Sequence, residues 1–411
     1  MDLAPVEVVA EEEAEDDAAA RTPSRFVEVI DAGAASLRVV SAADLVEDTA
    51  GVRVRRYGGL GSFAAISIRG SAPSQVPILV DSVPVTDVHS GLVNLEDLPV
   101  SDLDRIEVYR GFAPVEIGDA GIGGAVNLVT RAAPSAGPAT LSSGLSTGSF
   151  GTWRAFASGA STLGACETPD VEPDPGARPG RCPGLRLTFG HLRSAGDYPF
   201  LSDNGTPLEP RDDREIRRLN NDFAQTHASA RLGVPGRRLD LDASASLTAV
   251  DRGFPGLDYA QAERARLSGT ASRLRVVAAV PGPAGGACDV AAGAFGSVRT
   301  DRFEDPEGEI GVGSQIEDDL TTAAGLHAAV TMRLGGGAHL ATARIEVRND
   351  AFSPRHEIPA PRDGPTQVRW LGRLGAAWES SLLDDALVLV ADARLDVHEN
   401  RFAGDPWLGT T

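Results

Sequence analysis

The stretch Arg238-Leu239-Asp240-Leu241-Asp242-Ala243-Ser244-Ala245-Ser246-Leu247-Thr248-Ala249 alternates polar and apolar side chains without a break. Successive side chains of a strand point to opposite faces, so these residues lay out one apolar and one polar face. The same period of two returns in Ala341-Thr342-Ala343-Arg344-Ile345-Glu346-Val347-Arg348 and in Leu389-Val390-Ala391-Asp392-Ala393-Arg394-Leu395-Asp396-Val397-His398. A soluble sandwich alternates too, so two further features decide. The strands run to about 10–13 residues, against a usual five or six. Their polar faces carry charge densely (Asp240, Asp242, Arg344, Glu346, Arg348, Asp392, Arg394, Asp396), as a wet lumen permits. The reading is a β-barrel with lipid outside and water inside.

Composition agrees. The chain has 411 residues and a formal net charge of −20. It contains no lysine, which removes Schiff-base and phosphate-loop lysine chemistry. An acidic chain repels polyphosphates, so no nucleic-acid partner is expected. Mean hydropathy is −0.10, and no run approaches the roughly 18 apolar residues of a spanning helix. That excludes a helical membrane protein but not a barrel, whose alternating strands never raise mean hydropathy. Residues 1–5 bring neither the basic segment nor the apolar core of a secretory signal, so either the chain is cytoplasmic or its reading frame begins after an export signal. Cys166, Cys182 and Cys288 are too few for a disulfide framework and show no metal spacing.

Three regions separate along the chain. Residues 1–22 hold a short apolar patch, then the run Glu11-Glu12-Glu13-Ala14-Glu15-Asp16-Asp17, whose like charges predict a disordered tail. Residues 23–133 read as a small α/β domain. Arg25-Phe26-Val27-Glu28-Val29-Ile30 and Val52-Arg53-Val54-Arg55-Arg56-Tyr57 alternate as strands, as does Ala64-Ala65-Ile66-Ser67-Ile68-Arg69. Ser41, with Asp44 three residues on, predicts a capped helix over 42–46. Residues 94–103 predict helical turns interrupted by Pro99. From 134 to 411, about eleven alternating segments follow, with tight turns set against long polar loops at 167–183 and 195–221. An odd antiparallel set cannot close on itself without a parallel pair, so the barrel reads as incomplete.

Five signatures in the first domain resemble the plug of TonB-dependent outer-membrane receptors. They are Ala43-Asp44-Leu45-Val46-Glu47-Asp48-Thr49-Ala50-Gly51-Val52, Ile66-Ser67-Ile68-Arg69-Gly70, Val76-Pro77-Ile78-Leu79-Val80-Asp81-Ser82-Val83-Pro84-Val85 (with Ser82 where the family usually has glycine), Asp104-Arg105-Ile106-Glu107-Val108-Tyr109-Arg110-Gly111, and Ile122-Gly123-Gly124-Ala125-Val126-Asn127-Leu128-Val129-Thr130. Fainter similarity continues in Gly148-Ser149-Phe150-Gly151-Thr152-Trp153-Arg154, which looks like the first barrel hairpin. The family builds about 22 strands around its plug, so the resemblance implies a mostly β chain with a plug and about half a barrel. It implies location in the cell outer membrane, in contact with its lipid, and a monomer. It also implies active import of a scarce small-molecule chelate or cobalamin-like ligand, with no enzymatic activity; the receptors nearest in loop layout are of the cobalamin and siderophore type. A non-transporting surface protein or an inert fragment is the alternative.

The resemblance also assigns sites. Pro5, Val6, Glu7, Val8 and Val9 resemble a TonB box, which the energy-transducing inner-membrane complex would add to its sheet from about Val6, since Pro5 has no N–H to donate. Ligand would touch plug apices at Tyr57, Gly59, Ser62, Ser71, Ser74, Gln75, Thr86, Asp87, His89 and Ser90. Arg69, Glu107 and Arg110 are charges of the sort that can pair across the plug–barrel interface, or else stand as solvated surface, and the glycines at 58, 59, 61, 70 and 111 are expected at tight corners. The carboxylates Asp197, Asp203, Asp212, Asp213 and Glu215 crowd one long loop, where family members sometimes hold calcium, although the spacing favours a solvated loop. No other cofactor and no metal ligand set is expected. A Cys166–Cys182 bridge would close a loop of about 15 residues, worth roughly 3 kcal/mol. Gly59-Leu60-Gly61 and 118–124 run into strand sequence rather than a helix, which argues against dinucleotide binding.

Overall fold

The structure is a computed structural model, and it describes residues 27–35, 41–86, 89–111, 113–119, 121–164, 182–236, 238–280, 288–335, 338–358, 361–383 and 386–402. The first domain opens with β1 (Val27–Asp31), α1 (Ala32–Ala35) and α2 (Ala42–Val46). Ser41 caps α2 reciprocally with Asp44, as their spacing predicts. There follow β2 (Val52–Arg56), β3 (Ala64–Ile68), β4 (Ile78–Val80), β5 (Val83–Pro84), β6 (Leu103–Tyr109) and β7 (Ala125–Thr130). Five of these strands form one sheet in the order β1-β6-β7-β4-β5, and β2–β3 is a separate hairpin. The helices are one turn each, and between Asn94 and Leu103 the helical turns shrink to Leu95–Asp97. A core of aliphatic side chains, including Ile66, Ile68, Ile78, Leu95, Ile106 and Leu128, is almost fully buried between sheet, hairpin and short helices.

The β4–β5 turn explains the serine at a glycine position. Asp81 and Ser82 both have positive φ, 49° and 64°, as a two-residue hairpin turn of the type I′ sense requires. The strained backbone is held from outside: Ser82 N–H donates to Asn127 Oδ1 at 2.9 Å, and Asp81 accepts from Thr130 N–H and Oγ1 at 3.0 and 2.6 Å.

The second half is a wall. Its strands are β8 (Thr140–Thr147), β9 (Trp153–Thr162), β10 (Gly184–Ser194), β11 (Pro199–Ser202), β12 (Arg214–Arg217), β13 (Phe223–Val234), β14 (Asp240–Gly253), β15 (Arg266–Val280), β16 (Cys288–Asp305), β17 (Gln315–Leu334), β18 (His339–Ile358), β19 (Arg362–Asp363), β20 (Gln367–Leu382) and β21 (Leu387–Phe402). Eleven of them run antiparallel in one path from β8 to β21, while β11 and β12 form a hairpin of their own. Among the described strands β8 and β21 do not pair with each other, so the wall is open, and several strands exceed the expected length, with β17 and β18 reaching 20 residues.

The burial pattern is inverted relative to a soluble sheet. Along β18, Arg344, Glu346 and Arg348 are 5%, 2% and 7% exposed, whereas Ile345 and Val347 are 53% and 47% exposed. Charge faces in and hydrocarbon faces out, the pattern of a barrel wall that meets lipid. On β20, Trp370 and Trp378 are both exposed and eight residues apart, about 26 Å along the strand. Once tilted, that spacing flanks most of a roughly 25 Å apolar band in the manner of an aromatic girdle.

One loop is not where spacing put it. Thr162 pairs with Gly184 and Gly184 with Gly233, while Ser194 pairs with Phe223. The 163–183 connection therefore leaves from the same end as the short turns at 235–239 and 335–338, opposite to 195–222. Length alone misassigned it; counting strand reversals from β8 corrects it.

Ile345 pairs with Leu374, midway between Trp370 and Trp378. Replacing Ile345 by Arg should lower stability in bilayers by about 2–4 kcal/mol, read from urea unfolding in liposomes, whereas an equal loss in detergent-free water would contradict a lipid-facing position.

Candidate functional site

The concave side of the wall holds the first domain, and they meet through ion pairs of one polarity. Asp97, which follows the turn at Leu95, takes Arg252 of β14 on one oxygen and Arg299 of β16 on the other, the latter at 3.3 Å. Arg252 also donates to the Gly61 carbonyl and lies over the Phe223 ring at 5.5 Å. Gln225 donates to the Glu96 carbonyl at 2.8 Å. Further towards the turn end, Asp102 faces His227 at 3.5 Å, and Asp81 faces Arg231 at 3.7 Å. Arg231 also donates to the Thr130 carbonyl at 2.9 Å. On the flank, Asp119 faces Arg373 at 3.0 Å and Arg348 at 3.6 Å.

In each of these pairs the acid belongs to the plug and the base to the wall. Burial works against the charge of Asp102, yet the polar side chains of His227, Ser229 and Thr188 around it outweigh burial and hold its carboxyl below the ordinary range. The expected interface charges behave otherwise. Glu107 is bound inside the plug by Arg105, Tyr109 and Asn127. Arg110 pairs with Glu28 at 3.3 Å and donates to the Ala50 carbonyl. Arg69 stands at φ +52° in the turn after β3.

A cavity of about 730 Å³ opens at the long-loop end. The plug loop from Tyr57 to Phe63 lines it, with His89 and Ser90; Tyr198, Phe254, Phe352, Arg218, Arg252 and Arg299 line it from the wall side. His89 stacks on Phe352 with ring centroids 4.5 Å apart. Of the apical residues chosen from sequence, the structure brings together Tyr57, Gly59, Ser62, His89 and Ser90. Ser74 and Thr86 line a second cavity of about 340 Å³ between plug and wall. Gln75 and Ser71 hold local turns instead, accepting from the Ala72 and Ile68 N–H groups. Asp87, residues Pro5 to Val9 and Cys166 lie outside the described residues. Cys182 is buried and disulfide-bonded, and Cys288 is exposed and free.

The acidic loop carboxylates are spread among separate partners. Asp197 pairs with Arg217, Asp212 accepts from Thr206 Oγ1, and Asp203 accepts from Gly205 N–H. Among the described residues no group of three or more acidic, histidine or cysteine side chains could hold a metal ion.

Sequence reasoning missed Asp97, Arg252, Arg299 and Phe223. The parity of β14 alone turns Arg252 inward with Asp240 and Asp242, but its partner lies far away in sequence. It also missed a tie between loops: Glu309 accepts the N–H groups of Glu263, Arg264 and Ala265 at 2.9, 2.8 and 3.1 Å.

Residues 19–125 match a family model described as the TonB-dependent receptor plug domain. A vitamin B12 transporter of Vibrio cholerae is 33% identical over 102 residues, covering 25% of this chain and 17% of that protein. Another vitamin B12 transporter, of Vibrio vulnificus, is 30% identical over 174 residues, covering 38% of this chain and 28% of that protein. Among solved structures, the ferric enterobactin receptor of Pseudomonas aeruginosa superposes with a TM-score of 0.66 at 15% identity, over 97% of this chain and 60% of that one. The siderophore receptor PirA of Acinetobacter baumannii gives 0.67 at 15%, over 97% and 59%. The chain spans less than two thirds of the length of each.

Two predictions follow from these contacts. Gly61 and Gly70 both have positive φ, but a Cβ on Gly61 would sit 2.3 Å from the Phe223 ring, whereas Gly70 has nothing within 4 Å. Gly70→Ala should cost about 1–2 kcal/mol of backbone strain, and Gly61→Ala a further 1–3 or so from overpacking at the interface, read as the difference in urea midpoints; equal costs would deny the contact. Hydrogen bonds from the 263–265 backbone hold the Glu309 carboxyl below its ordinary 4.5. The loop tie is thus complete above that value and lost as pH falls through the depressed pKa, so amide exchange at 263–265 should accelerate there, and Glu309→Gln should remove the step.

Proposed function

We propose, for a chain whose residues 19–125 belong to the plug domain of the TonB-dependent receptors and whose fold is their plug with part of their barrel, that it binds and imports a scarce ligand across the outer membrane. The observation that carries this reading is the acid-on-plug, base-on-wall seam beneath the open cavity. A plug that keeps its own apolar core inside and meets the wall through ion pairs can be drawn away without exposing that core, because water re-solvates each charge as it separates.

Ligand enters from the long-loop end and rests on the Tyr57–Phe63 loop, His89 and Ser90, among the aromatic rings of the wall. The names of the relatives support an iron chelate or a cobalamin-like molecule. The loop from Tyr57 to Phe63 then transmits occupancy: its Gly61 carbonyl and Asp97 share Arg252, so a ligand that shifts the loop loosens both contacts together. Residues Pro5 to Val9 are the peptide offered to the energised partner, which takes them as an added strand. The aromatic and basic lining favours this reading over that of a surface protein with no transport role, because the polar seam has no use in a fixed attachment.

In the receptor, deleting Pro5 to Val9 should abolish energy-dependent uptake of labelled cobalamin or ferric siderophore while leaving its binding intact. Uptake that persists contradicts the assignment. In the same reading Cys166 is the partner of Cys182, so reductant should raise the titratable thiols from Cys288 alone to all three cysteines of the chain.

A further inference from the structure

Arg273 lies midway along β15 and points inward, since its neighbours Ser272 and Leu274 are the exposed pair. It lines the 340 Å³ cavity on one side and a smaller one of about 50 Å³ on the other, so its side chain stands at the seam between plug and wall. Among the described residues it makes no hydrogen bond and no ion pair. The charges that act on it are Arg299, which repels it, and Asp81, which attracts it. Asp81 is already held by Thr130 and Arg231.

The surrounding carboxylates are matched elsewhere. Asp97 and Asp301 are taken by Arg252 and Arg299. Asp119, Glu346, Asp350 and Asp396 are shared among Arg344, Arg348, Arg369 and Arg373. Asp242 is shared by Arg231 and Arg275. Arg273 belongs to none of these groups, so among the described residues it is, like Arg394 of β21, a cation of the wall without a carboxylate partner. On the plug side of the same cavity, the Thr86 hydroxyl has no hydrogen-bond partner. Arg273 is half-buried, and an unmatched guanidinium drawn partly out of water is stabilised when an anion completes it.

We infer that the 340 Å³ cavity is an oxyanion site, in which Arg273 from the wall and Thr86 from the plug hold a carboxylate or phosphate group of a small solute. A guanidinium presents a planar fork suited to two oxygens of such a group, and a hydroxyl can donate to a further phosphate oxygen or to the second lone pair of a carboxylate oxygen. The cavity adjoins the ligand cavity through Asn94, Asp97, Arg299 and Asp301, which line both. An anionic group bound there bridges plug and wall and competes for Arg299, one of the two arginines that hold Asp97. Its bearing on import rests on the transport reading above, but the binding itself does not.

The test is calorimetric titration of the chain, folded in detergent micelles, with inorganic phosphate and separately with citrate. Saturable binding of either is expected, phosphate alone or citrate alone telling which oxyanion the cavity fits. Arg273→Gln should weaken it about tenfold or more, the loss of a charge-assisted contact. Arg333→Gln, at an exposed arginine paired with Asp289, should leave it unchanged. No saturable binding to the wild-type chain, or an Arg273→Gln titration that superposes on it, overturns the proposal. Should Arg273→Gln fail to fold, Thr86→Val decides: reduced affinity supports the site, and undiminished affinity rejects it. Because uptake is not the readout, a failure here leaves the transport assignment to its own experiment.

Discussion

A charged face cannot be left against hydrocarbon, and a ring of charged side chains closed away from water needs counter-charges. The wall meets the first demand by turning Arg344, Glu346 and Arg348 inward and Ile345 and Val347 outward. The plug meets part of the second with Asp81, Asp97, Asp102 and Asp119, each set against a basic side chain of the wall. Everything else in the arrangement depends on that match. It places Phe223 against Gly61, aligns the Tyr57–Phe63 loop beneath the cavity, and keeps the plug's apolar core to itself.

The seam also explains how a packed domain can be both fixed and removable. The core of Ile66, Ile78, Ile106 and Leu128 is closed within the plug, so that core stays covered when plug and wall separate. The strained turns, at Arg69 and at Asp81–Ser82, are braced by contacts inside the plug or by its own β7. The plug's turns and core are thus secured within it, while its ion pairs to the wall cross the seam.

Much of this was legible in the sequence because the period of two is a local property. Parity alone gives the faces of β14, β18 and β21, and the capping pair Ser41–Asp44 gives α2. What was not legible depends on pairing between distant segments. Glu107 and Arg110 carry charge in the expected places, yet both are satisfied inside the plug, and the interface is made by aspartates in short turns that have no periodic signal. The 163–183 connection looks like a long external loop by length and composition, and only the strand register assigns it to the other end. Likewise the cavity is built from Tyr57, His89, Phe254 and Phe352, four residues whose proximity no spacing rule encodes.

The central claim is that β18 shows lipid its apolar face and the plug its charged one. Nitroxide labels placed singly along 341–350, in the chain reconstituted in bilayers, measure it directly through collisions with oxygen, which concentrates in lipid, and with a water-soluble nickel chelate. Oxygen accessibility should peak at 343, 345 and 347 and fall at 344, 346 and 348. A flat profile, or one with the opposite phase, would contradict the account.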